Sequence, residues 1–79
     1  MINEELTKEM LDGMRDVIFT NLNDANSDKE VTSALAKVLA NCITGNWSLA
    51  NDALVSMKPD TRTLVPLSLQ ALVARKLWF

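Results

Sequence analysis

Apolar residues recur every three to four positions through most of the chain, and the recurrence breaks where short polar residues, glycine or proline accumulate. At about 100° per residue, Leu6, Met10, Leu11, Met14, Val17, Ile18 and Leu22 fall in one arc, with Glu5, Glu9, Asp12 and Asp16 opposite. This predicts an amphipathic helix over 4–22, capped by Asn3 and with Glu4 and Glu5 at the positive end of its dipole. Asn21, Asn23, Asp24 and Asn26 follow; their side chains compete for backbone hydrogen bonds and stop the helix.

Ser27-Asp28-Lys29-Glu30 has the form of a capping box, which starts a second helix over 28–44. Val31, Ala34, Leu35, Val38, Leu39, Cys42 and Ile43 cover one side, Ala36 and Ala40 widen the arc, and only Lys29, Glu30, Ser33, Lys37 and Asn41 make a polar strip. The pattern predicts the most buried helix of the set, closed by Gly45. Asn46 is the expected cap of a third helix over 47–57, with Trp47, Leu49, Ala50, Ala53, Leu54 and Met57 on its core face. Pro59 ends it. A fourth helix over 64–78, capped by Thr63, places Pro66 at its third position, where a missing N–H costs nothing; a start at Asp60 would put Pro66 deeper and kink the helix. In this last helix Leu67, Ala71, Ala74 and Trp78 lie on one side and Val65, Leu69 and Leu72 on the other. The expectation is an all-α, compact four-helix fold spanning 1–79 as a single domain.

Composition sharpens this picture. A chain of 79 residues, 48% hydrophobic and 23% charged, is too apolar for disorder, yet so short that folding buries only about 60% of its surface. Either the other three helices wrap the two-faced last helix, or a second chain supplies the cover. A homodimer through Val65, Leu69, Leu72, Trp78 and Phe79 is the expectation. In the other reading of the tail, Trp78 and Phe79 close the core while Arg75 and Lys76 sit at the negative end of the helix dipole.

The chemistry is mostly negative. With no His or Tyr and one Cys, the chain lacks the materials of a zinc site, a disulfide framework or a histidine-based triad, so neither a metal, a cofactor nor enzymatic activity is expected. Cys42, on an apolar helix face with no His to activate it, reads as a small buried hydrophobe. The N-terminus lacks the pattern of a signal peptide and no apolar run approaches the roughly 20 residues of a membrane span, which suggests a cytoplasmic protein.

Charge is unevenly placed: residues 1–30 carry net −5 and residues 31–79 net +3. The stripe of Glu5, Glu9, Asp12 and Asp16, with Phe19 standing off the core arc, is the candidate surface for a protein partner, although a solvated helix face has the same pattern. The second and third helices with the Gly45 turn also have the outline of a helix-turn-helix, with Lys58, Arg62, Arg75 and Lys76 as phosphate contacts. The would-be recognition helix argues against DNA, since it holds Asp52 and no Lys or Arg. The sequence therefore points to a small non-enzymatic protein-binding module, an adaptor, regulator or inhibitor of phage or plasmid type, with DNA binding as the alternative.

Overall fold

A computed structural model describes residues 6–26 and 28–78, and every regular element among them is a helix. The first, α1 (Lys8–Asn23), begins at Thr7, whose hydroxyl accepts the Met10 N–H at 3.2 Å. That is later than the expected start near residue 4; Asn3, Glu4 and Glu5 lie outside the described residues. It ends in the asparagine cluster as expected. The Asn21 side chain donates to the Val17 carbonyl, and the Asp24 carboxylate accepts the Asn26 N–H, so side chains take up backbone groups around the helix end.

The second helix, α2 (Lys29–Ile43), is capped by Asp28, whose carboxylate accepts the Glu30 N–H at 2.8 Å. The expected cap, Ser27, lies outside the described residues, and Asp28 does the same work one position later. At the other end the Thr44 hydroxyl donates to the Ala40 carbonyl, and Gly45, at φ +77°, lets the Asn46 N–H reach the Asn41 carbonyl. The next helix, α3 (Trp47–Ser56), follows at once. Asn46 precedes it but makes no side-chain cap; its amide donates to the Thr44 hydroxyl instead.

The expected fourth helix over 64–78 starts later, at Leu67, and a short helix that was not expected precedes it. A single turn, α4 (Pro59–Arg62), opens with proline at its first position, and the Thr63 hydroxyl closes it by donating to the Asp60 carbonyl. Thr63 thus ends one helix rather than starting another. The chain then extends through Val65 and Pro66 before α5 (Leu67–Trp78) begins. Proline disfavours helical geometry in the residue before it, which forces the break, while its own carbonyl accepts the Leu69 and Gln70 N–H groups. The described chain is all-helical with five helices, four of them longer than two turns.

Between α1 and α3 lies α2, and α5 packs on α3. Gly13 lets α1 approach the α4–α5 connection, since a Cβ there would sit 3.3 Å from the Pro66 ring. The core joins Leu6, Met14, Leu35, Val38, Cys42, Ala50, Leu54, Met57, Val65, Leu69, Leu72 and Val73 in one cluster. At a radius of gyration of 11.9 Å the fold is compact. Five expected core positions are exposed instead. Ala36, Ala40 and Ile43 are exposed because neighbouring helices cover only one side of α2, Leu22 is exposed at the end of α1, and Leu49 is exposed on α3.

Candidate interaction surfaces

The five expected self-association residues separate. Val65, Leu69 and Leu72 are at most 2% exposed, sealed within their own chain, so they are unavailable to a second one. The reason is geometric: α3 supplies a wall, and the connection that holds Val65 folds back against the same core. Trp78 is the reverse case, 77% exposed, which also overturns its expected role in closing the core. Phe79 lies outside the described residues.

What α5 shows to solvent is the opposite stripe. Leu67 is 81% exposed, and Ala71 and Ala74 continue the exposed line to Trp78. The spacing of four, three and four residues keeps them on one side of a helix. The alignment was legible in the sequence, but which apolar side faced outward was not.

The partner-binding set is placed differently. Glu9, Asp12, Asp16 and Phe19 are all exposed on α1, and Glu5 lies outside the described residues. Leu22, one turn beyond Phe19, joins it, the two being 60% and 58% exposed. The outcome is an apolar pair at one end of the helix with carboxylates along its flank. Leu22 was missed because it completes the 3–4 pattern of the core face, and only the absence of a neighbour there exposes it.

A third surface was not anticipated. Between α2 and α3 runs an open groove of about 760 Å³, lined by apolar Ala34, Leu49, Ala53 and Met57 together with charged Lys29, Lys37, Glu30 and Asp52. It continues into a depression of about 170 Å³ beside Val31 and Thr61. Leu49 lies there rather than in the core, because five residues set it about 140° around the helix from Leu54. That angle was the available signal.

Several basic groups considered as phosphate contacts have other duties. The Arg62 guanidinium donates to the carbonyls of Leu54, Val55 and Met57, closing the C-terminal end of α3 where its charge suits the dipole. Arg75 and Lys76 are likewise engaged.

Cys42 is wholly buried, and burial pushes its thiol from the usual 9.0 up to about 11, so it is protonated near neutrality and poorly nucleophilic. Among the described residues no group of three or more His, Cys, Asp or Glu is placed to hold a metal ion, and no helix is long and apolar enough to cross a membrane. Compared with known protein families, curated proteins and solved structures, the chain matches none.

Proposed function

We propose that this chain is a small, non-enzymatic, cytoplasmic protein-binding module, acting as an adaptor, regulator or inhibitor of another protein. One observation carries the reading: six large apolar side chains, Leu67, Trp78, Val55, Leu22, Phe19 and Leu49, stand more than half exposed on a chain of 79 residues. Single exposed apolar residues are ordinary, whereas aligned ones that keep company with charged groups suit recognition. On α1, Phe19 and Leu22 supply the apolar contact and Glu9, Asp12 and Asp16 an acidic border, which selects a partner with a basic rim around a small apolar hollow.

The test compares proteins captured from cells by immobilised wild type and by a Phe19→Ser, Leu22→Ser double variant whose helicity is verified by circular dichroism. A protein retained by the first and lost by the second supports the reading. Identical retained sets overturn the α1 surface. Retention of random duplex DNA at low salt, weakening steeply as salt rises, would return the helix-turn-helix reading to first place.

A further inference from the structure

We propose that the outward face of α5 binds the same face of a second copy of this chain, the two helices crossing antiparallel where Ala71 and Ala74 meet their counterparts. This rests on the reading of the chain as a protein-binding module and assigns it a second surface, separate from Phe19 and Leu22.

The size profile of the stripe identifies the occupant. Two helices that cross approach closely at one point and diverge on either side of it, so a well-packed contact has small residues at the crossing and large ones beyond. The exposed stripe has that profile: Ala71 and Ala74 form a waist, with Leu67 one turn before and Trp78 one turn after. Its spacing of four, three and four reads the same in both directions. A two-fold axis through the midpoint of Ala71 and Ala74 therefore lays Leu67 of each copy against Trp78 of the other. It is the self-complementarity that an isologous dimer requires.

Charge selects the antiparallel direction. The last turn of α5 carries Arg75 and Lys76, while its first turn, Leu67-Ser68-Leu69-Gln70, is uncharged. A parallel pair would place both cationic turns together. The antiparallel pair sets Arg75 and Lys76 opposite Gln70 and Leu69 in the neutral first turn of the other copy and moves each roughly 8 to 10 Å along the axis from its own counterpart.

Area is sufficient for a specific but modest contact. Leu67 and Trp78, so fully exposed, contribute roughly 350 Å² of largely apolar surface per copy. The two alanines and Leu64, itself 39% exposed, bring the total from both copies toward the roughly 1,000 Å² at which specific interfaces begin.

Sedimentation equilibrium over a concentration series, from low micromolar to submillimolar, tests the proposal. Wild type is expected to pass from monomer to dimer. Ala71→Arg, which puts a charge in the waist, and Trp78→Ser should each weaken the association about tenfold or more without loss of helicity, because both sites are exposed in the monomer. Leu49→Arg, in the groove of α2 and α3, should leave the dimer intact. Direction is read by oxidation: Ser68→Cys mixed with Arg75→Cys should give a disulfide-linked pair that neither variant gives alone, with buried Cys42 taking no part. A wild type that stays monomeric, or a dimer indifferent to both Ala71→Arg and Trp78→Ser, overturns the proposal. A disulfide within either variant alone, with no disulfide joining Ser68→Cys to Arg75→Cys in the mixture, overturns the antiparallel arrangement. Sedimentation probes α5 and the capture experiment probes α1, so either can fail without the other.

Discussion

The inner and outer faces of α5 are about equally apolar in sequence and opposite in fate. Leu69, Leu72 and Val73 are at most 2% exposed, whereas Leu67 and Trp78 on the other side are among the most exposed apolar side chains described. Hydrophobicity did not choose between them. The choice was made by what holds the helix: α3 provides one wall, Pro66 resets the backbone just before the first turn, and the Gln70 amide donates to the carbonyls of Arg62 and Val65. These contacts set the rotation of α5 about its axis. A helix with two apolar sides is thus oriented by polar contacts at its start, and the remaining side becomes surface for another molecule.

The contrast is broken most strongly at the inner face. Leu69→Ala or Leu72→Ala should each cost about 3 kcal/mol in urea or thermal unfolding, from lost burial and the cavity left behind. A cost below that of Leu67→Ala would mean the two faces had been assigned the wrong way round.

The core that this face closes is probed next through Cys42. Its thiol titrates near 11 in the folded chain and near 9 when unfolded, so between these values the unfolded state releases the proton first. Stability from this group is full below pH 9 and declines by about 2 kcal/mol as pH rises to 11. In Cys42→Val that component of the slope should vanish, measured as the difference between the two unfolding curves against pH; equal slopes would show that the thiol is solvated.

A smaller effect is expected at the tether. Gln70→Ala removes both hydrogen bonds to the α4–α5 connection and should lower stability by about 1 kcal/mol. It should also blur the distinction between faces, seen as a reduced difference between Leu69→Ala and Leu67→Ala in that background. An unchanged difference would mean that apolar packing alone holds the rotation. Least of all, Leu67→Ala should shift monomer stability by less than about 0.5 kcal/mol at dilute concentration, since an exposed side chain leaves no cavity.

Much of the helical layout was legible because its signals are local. The asparagine cluster, Gly45 and Pro59 act through backbone geometry within a few residues, and each break falls where it was expected. The start of α1 and the cap of α2 moved because several neighbouring residues can accept the same orphan N–H groups. The last helix starts at Leu67 rather than 64 because Pro66 holds the residue before it out of helical geometry, whereas the pattern places Pro66 at a third helical position. The short α4 before it was not expected. The candidate surfaces were less legible. Leu22 satisfies the core spacing of its helix and only the lack of a neighbouring helix leaves it at the surface, whereas Leu49 stands about 140° around α3 from Leu54 and meets the groove.

The sequence by itself determined that the chain is helical, where most of its helices end, that Cys42 is buried, and that the last helix has two apolar sides. These follow from periodicity and from the conformational limits of single residues, which act over one or two turns. Only the tertiary structure decided that Val65, Leu69 and Leu72 close the core while Leu67 and Trp78 face outward, that Arg62 is spent on the carbonyls of α3, and that α2 and α3 leave a groove between them. Those outcomes depend on which surfaces meet across distant parts of the chain. Helical periodicity assigns residues to a side and leaves open what that side will touch.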